Sequence, residues 1–113
     1  MKKFKSPITG HVDIIIDTKE DEWEGKIEKR NEVLIHGDPE GLRSLAKLLL
    51  NLADVDQNSI TDLPVGAREH VHLRPKLELS DSSIQVIVGR LDAKGTGAFY
   101  DRYAPKRKDW IWK

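Results

Sequence analysis

The chain contains no cysteine among its 113 residues. This absence excludes a disulfide framework, a thiolate zinc site, an iron–sulfur cluster and a cysteine nucleophile. Long apolar runs are also missing, because runs such as residues 14–16 and 48–50 are far shorter than the roughly 18 residues that a membrane span needs. The basic first seven residues lack the apolar core of a signal peptide. The sequence therefore predicts a cytoplasmic protein that makes no membrane contact.

Net charge is absent as well, since 19 lysine and arginine residues balance 19 aspartate and glutamate residues. The chain thus lacks the overall field that draws a protein to nucleic acid or to an anionic membrane. Its halves differ, however. Residues 1–64 carry 9 basic against 13 acidic side chains, a net charge of −4, and residues 65–113 carry 10 against 6, a net charge of +4. Either the halves neutralise each other within one fold, or they form a two-sided electrostatic interface.

The first third of the chain has the pattern of three short strands. Residues 12–17 contain a β-branched apolar run, residues 23–28 alternate with a period of two, and residues 32–36 are again apolar. The charged residues 18–22 are expected to form a turn, and residues 30–31 suit a hairpin turn because asparagine tolerates a left-handed backbone. The simplest prediction is three antiparallel strands in series.

A helix is predicted from residue 39 to about residue 54. Asp38 can cap its free amides, Pro39 fits its first position, and Glu40 suits the positive end of its dipole. Leucine and alanine follow on one face at helical spacing, and Leu48 and Leu50 widen that face. The extra leucines indicate either a wide core or a contact with a second subunit or a partner.

Two further strands are predicted after a loop at residues 55–66. Residues 70–79 alternate between apolar and polar side chains, although Pro75 places this strand at an edge or at a bulge. A turn leads to residues 84–88, which are apolar on both sides. The fold class is therefore α+β: about five antiparallel strands in the order β-β-β-α-β-β, with one main helix on one face. One domain spans residues 1–113, with residues 98–113 as a tail that could be semi-independent.

The second face of this sheet is predicted to be polar and to meet water, a sister subunit or a partner. His70 and His72 share that face, with the spacing that metal sites use. Two ligands do not make a site, and candidates for the third are His11, His36, Asp92 and Asp101. The alternative is a solvated histidine pair. No residue pattern supports a nucleophile or an acid–base pair, so we predict no catalytic residue, no metal and no cofactor.

Two regions after the last strand are candidate contact surfaces. Residues 92–97 form a glycine-containing turn that lacks both the dinucleotide and the P-loop signature. Beside Arg90, Asp92 and Lys94, such a turn suits partner recognition. Residues 99–113 hold five of the seven aromatic side chains, interleaved with basic residues. These aromatics could pack over the sheet, anchor a protein partner through Trp110 and Trp112, or stack on single-stranded nucleic acid.

Several short motifs resemble a known family. They are Ile-His-Gly-Asp-Pro-Glu-Gly-Leu at residues 35–42, Arg-Glu-His-Val-His-Leu at residues 68–73, and the segment of residues 79–87. Together they resemble small α+β immunity proteins of bacterial polymorphic-toxin systems. The resemblance implies a cytoplasmic bacterial protein that neutralises a toxin by binding it, with no catalytic residues.

Our leading hypothesis is a non-catalytic protein-binding module of this immunity type. A homodimer of the chain is a further possibility. Its predicted contact residues are His70, His72, Arg74, Lys76, Arg90, Asp92, Lys94, Trp110 and Trp112. Two alternatives remain open. One is a small metal-dependent enzyme that uses the face with His70 and His72, and the other is a nucleic-acid-binding module that uses the basic aromatic tail.

Overall fold

The computed structural model describes residues 6–96 and has one main helix and antiparallel strands. The elements are β1 (Val12–Trp23), β2 (Lys26–Gly37), α1 (Pro39–Asp54), a 3-10 helix (Gln57–Ser59), β3 (His70–Leu73) and β4 (Val86–Gly89). The fold class is α+β, as predicted. The tail at residues 98–113, with Trp110 and Trp112, lies outside the described residues, so the prediction that it is semi-independent stays a prediction.

β1 and β2 form one long antiparallel hairpin. All twelve residues of each strand are paired, and the register ends with Trp23 opposite Lys26. The two connecting residues, Glu24 and Gly25, have φ angles of 51° and 77°. Two successive positive φ angles are the signature of a type I′ turn, whose twist matches that of the strands it joins.

The prediction of three strands in this region is wrong. Residues 18–22 and 30–31, predicted as turns, lie inside β1 and β2. Charged side chains fit there because opposite charges meet across the ladder: Lys29 lies 3.6 Å from Glu20, and Arg30 lies 3.1 Å from Asp21. Such cross-strand pairs stabilise a sheet, so the charge that suggested a turn belongs to a solvated strand.

α1 confirms the predicted helix from residue 39 to residue 54. Its buried face carries Leu45, Leu48 and Leu52. The helix ends where the N–H of Val55 donates to the carbonyl oxygen of Leu52, at 3.4 Å.

The start of α1 is tied to the residue before β1. Oδ1 of Asp38 accepts hydrogen bonds from the N–H of Gly41, at 2.7 Å, and from the N–H of His11, at 3.0 Å. Oδ2 lies 2.9 Å from Nδ1 of His11. The bonds from His11 and Gly41 lower the pKa of Asp38 to about 2. The capping residue predicted from sequence therefore also fastens the N-terminal segment to the helix.

β3 and β4 form the second hairpin, as predicted, but both strands are short. The prediction of one strand over residues 70–79 is wrong beyond Leu73, where β3 ends. Pro75 has no N–H to donate to a ladder, and Lys76 adopts a φ of 67°. The chain therefore turns at residues 74–79.

The four strands form two two-stranded sheets, so the prediction of one five-stranded sheet is wrong. An irregular segment, residues 80–84, joins the two pairs. Ser80 and Ile84 each donate their N–H to a β1 carbonyl oxygen, at 2.9 and 2.8 Å. Between them, the buried Ser83 hydroxyl accepts from the N–H of Ile14 at 3.1 Å. A side-chain oxygen thus replaces the backbone partner that a continuous ladder would need.

One cluster of buried apolar side chains joins α1, both hairpins and the N-terminal segment. Its members are Ile8, Val12, Ile14, Leu45, Leu48, Leu73 and Leu79. Within residues 6–96, no helix has the length and apolar character that crossing a membrane requires.

Candidate functional site: exposed surfaces for a protein partner

The outer face of the β3–β4 pair carries the predicted histidines. His70 and His72 are both exposed, and their ring centroids are 5.1 Å apart. Ile87 lies directly opposite His72 and is 59% exposed. Nδ1 of His70 lies 3.0 Å from the carbonyl oxygen of Arg68. This face therefore combines hydrogen-bonding rings with an exposed aliphatic side chain, a mixture that protein interfaces use.

The histidine pair has no third ligand in the described part of the chain. Among residues 6–96, no group of three or more His, Cys, Asp and Glu side chains could hold a metal ion. His11, one candidate for the third ligand, is bonded to Asp38. Asp101, another candidate, lies outside the described residues.

Arg74 and Lys76 have different environments at the end of β3. The Arg74 guanidinium lies 3.0 Å from Oε1 of Glu78, and the Arg74 N–H donates to Oε2 at 3.0 Å. Burial alone would raise the pKa of Glu78, but the hydrogen bonds from Arg74 outweigh it and the pKa is lowered. Lys76 is exposed at the turn. Of these two predicted contact residues, Arg74 has a structural bond and Lys76 extends into solvent.

Arg90 and Asp92 are hydrogen-bonded to each other and to other residues of the chain. The Arg90 guanidinium donates to the carbonyl oxygens of Leu52 and Val55, at 3.1 and 2.8 Å, where α1 ends. The same group donates to both oxygens of Asp92, at 2.8 and 2.7 Å, which lowers the pKa of that carboxyl group. Gln57 donates to the Asp92 carboxylate at 3.2 Å. Arg90 therefore caps the helix, and its contact with a partner stays a prediction.

The loop that contains Lys94 is also held by internal bonds. Nζ of Lys94 donates to the carbonyl oxygens of Ile60 and Leu63. The N–H of Gly95 donates to Oδ1 of Asn58, at 2.8 Å. A phosphate cradle would need this amide free. The loop is built as part of the scaffold, and a contact of Lys94 with a partner likewise stays a prediction.

The far part of the β1–β2 hairpin is a surface that the sequence interpretation did not identify. We name residues 17–32 the arm. Every residue from 18 to 31 is exposed, so no described residue covers either face of the ribbon. At the tip of the arm, residues 20–28, Trp23 is 72% exposed and Ile27 is 66% exposed. Tryptophan is enriched at protein interfaces, where its large ring is buried against a partner.

An apolar strip leads from α1 to the arm. Ile16 lies opposite Val33 on one face of the hairpin, and Ile35 follows on the same face because strand side chains alternate. All three side chains are more than half exposed. Leu42 lies over the same face, since a Cβ built on Gly37 would be 3.1 Å from it. The strip therefore continues the core surface outward without a cover among the described residues.

Comparison with known proteins matched a family model to this chain. A family model described as Immunity protein 32 matches residues 32–91, which are 60 of the 113 residues of the chain. The matched segment contains the last six residues of β2, then α1, the 3-10 helix, β3 and β4. No curated protein and no solved structure was found to match.

Proposed function

The chain belongs to the Immunity protein 32 family, and on that basis we propose that it binds a protein toxin directly and thereby neutralises it. Family membership is the observation that carries this proposal. The resemblance to immunity proteins is confirmed, because the motifs at residues 35–42 and 68–73 lie inside the matched segment. We propose that neutralisation needs no catalytic residue of this chain and takes place in the cytoplasm.

The exposed surfaces described above support a binding role. On the β3–β4 face, His70, His72 and Lys76 are exposed, and each could contact the toxin without losing a tertiary bond of its side chain. The loop residues and Arg74 already have partners inside the chain. Their substitution would change the scaffold as well as any interface.

We also propose a homodimer as an alternative, in which two copies of the chain meet through exposed leucines of α1. Leu50 of α1 is exposed, as is Leu49 beside it. A second copy could cover these leucines, as the width of the apolar helix face predicts.

The test uses any toxin domain that the source genome encodes beside the gene for this chain. Expressed alone in bacteria, that domain should stop growth, and co-expression of this chain should restore it. The purified chain and a catalytically inactive form of the domain should form a stoichiometric complex in calorimetry. An unrelated toxin domain is the specificity control. Absence of both protection and binding, with a folded chain and an active toxin domain, would refute the proposed function.

The β3–β4 face is tested by combining His72→Ala with Ile87→Ala. If this face contacts the toxin, the pair of substitutions should weaken binding by about 10-fold or more. Val65→Ala is the matched control, because it removes an exposed apolar side chain from the loop before β3, outside the β3–β4 pair. If the double variant binds the toxin as tightly as the control does, the β3–β4 face is not part of the interface.

A further inference from the structure

Residues 18–31, which make up most of the arm, add nothing to the core and lie outside the segment that the family model matches. Residues 18–31 are exposed throughout, and the match begins at Glu32. A two-stranded ribbon that packs against nothing is marginally stable in water. The shared scaffold therefore does not account for the arm, which projects as a separate surface on the same chain.

The tip of the arm is strongly acidic. Residues 20–28 contain five acidic side chains and one basic side chain, a net charge of −4. Lower on the arm, Lys29 pairs with Glu20 and Arg30 with Asp21. Three tip carboxylates form no ion pair within residues 6–96: Glu22, Glu24 and Glu28.

The tip also presents its largest apolar side chains to solvent, one on each face of the ribbon. Trp23 and Ile27 lie on opposite faces, because Trp23 is paired with Lys26 and Ile27 with Glu22. Ile27 shares its face with Val33, which belongs to the apolar strip. The type I′ turn and the register of the two strands set the face on which each of these side chains lies.

We infer that the tip of the arm selects the toxin, and that the toxin surface it fits is basic and contains an apolar pocket for the indole ring of Trp23. This inference rests on the proposed function. Unpaired carboxylates attract a basic surface and steer its approach. A partner arginine can stack on the face of a tryptophan, and buried tryptophans frequently dominate interface energies.

Charge also argues against other occupants of the tip. A second copy joined tip to tip would bring two acidic groups of side chains together, which costs free energy. Nucleic acid is repelled by the same charge. A basic protein surface is the partner whose chemistry complements the tip.

Two variants test the two parts of the tip separately. Trp23→Ala removes the proposed anchor. The triple variant Glu22→Gln, Glu24→Asn, Glu28→Gln removes the unpaired charge, and asparagine at residue 24 suits the positive φ of the turn. Because these residues make no contact with the core, both variants should unfold within about 3 °C of the original protein.

Matched controls make the same changes elsewhere. Val65→Ala removes an apolar side chain of the loop before β3 that is 74% exposed, close to the 72% of Trp23. The triple variant Asp54→Asn, Asp62→Asn, Asp81→Asn neutralises three exposed acidic residues that lie outside the arm. The probe is the catalytically inactive toxin domain used above, and association and dissociation rates are measured at low and at raised salt.

Trp23→Ala should weaken binding by about 10-fold or more, mainly through faster dissociation. The triple arm variant should slow association at low salt by about 10-fold and reduce its dependence on salt. Both controls should bind within about twofold of the original protein. If the original protein binds and protects while both arm variants behave like the controls, the inference is overturned and the proposed function stands. If the original protein neither binds nor protects, the proposed function fails, and this inference fails with it.

Discussion

Replacing Gly41 by alanine tests the close approach at the start of α1. In a helix interior this change ordinarily stabilises by about 1 kcal/mol. Here a Cβ added at residue 41 would lie 2.1 Å from the carbonyl oxygen of His11. Real Cβ atoms essentially never approach another atom within 3.0 Å. The helix and the segment before β1 must therefore separate by about 0.9 Å, the difference between 3.0 and 2.1 Å.

That separation reverses the usual sign of the substitution. Overpacking of this kind costs about 1–3 kcal/mol, and it also stretches the bonds that Asp38 makes to His11. After the gain of about 1 kcal/mol in helix propensity is subtracted, a cost of about 0–2 kcal/mol remains, and we expect Gly41→Ala to lose about 1 kcal/mol of unfolding free energy. For a chain of this size the unfolding midpoint should fall by about 5 °C, measured by circular dichroism.

The control is the opposite change in the same helix. Ala46 is exposed, so Ala46→Gly should cost about 1 kcal/mol from propensity alone. Gly41→Ala and Ala46→Gly would then both destabilise α1. Helix propensity alone predicts opposite signs for these two changes, so the loss in Gly41→Ala would come from the steric contact at residue 41. An unfolding midpoint of Gly41→Ala at or above that of the original protein would refute the close approach.

Three further predictions concern single side chains. The pKa of Asp38 is about 2 in the fold against 3.8 for the free group, so the unfolded chain takes up the proton first. Stability should therefore fall as the pH drops from about 4 to about 2; an equally steep fall in Asp38→Asn would contradict this. Arg90→Ala should lower the unfolding midpoint, because it leaves the last carbonyl oxygens of α1 without their donor. Arg43→Ala, on the exposed surface of the same helix, should not lower it. Equal effects of the two substitutions would contradict the capping role of Arg90. Glu24→Asn should raise stability by a few tenths of a kcal/mol in chemical denaturation, because asparagine favours the left-handed turn; a loss would contradict the turn type.

The helix could be predicted from sequence because its signals are local. Asp38 and Pro39 stand next to each other, and the leucines that follow repeat with the helical period, so residues 39–54 needed no tertiary information. The hairpin could not be predicted in this way. A ribbon exposed on both faces needs no alternation of apolar and polar side chains, so residues 18–22 looked like a turn. The alternation at residues 23–28, which predicted a strand, runs across the real turn at Glu24 and Gly25. The Glu24-Gly25 pair, similar to Asp-Gly, was the signal that could have located the real turn.

The predicted contact loop shows a second limit of sequence reasoning. Arg90 and Lys94 are charged residues beside a glycine, a pattern that suits partner recognition. Their bonding partners lie 31 to 38 positions earlier in the chain. Nothing in the local pattern distinguishes a cation that binds a toxin from one that caps the end of a distant helix. Only the tertiary structure separates these two roles.

The separation of scaffold and arm has a consequence for how partner choice can change. Core positions such as Leu73 are fully buried, so a substitution there changes stability and any interface together. Residues 18–31 touch no core side chain, so substitutions in the arm should alter binding while leaving the free energy of unfolding nearly unchanged. Stability effects of Trp23→Ala and Leu73→Ala should therefore add in the double variant. If the arm selects the toxin as proposed, a change in the charge of the arm can change the toxin that is bound without refolding the core.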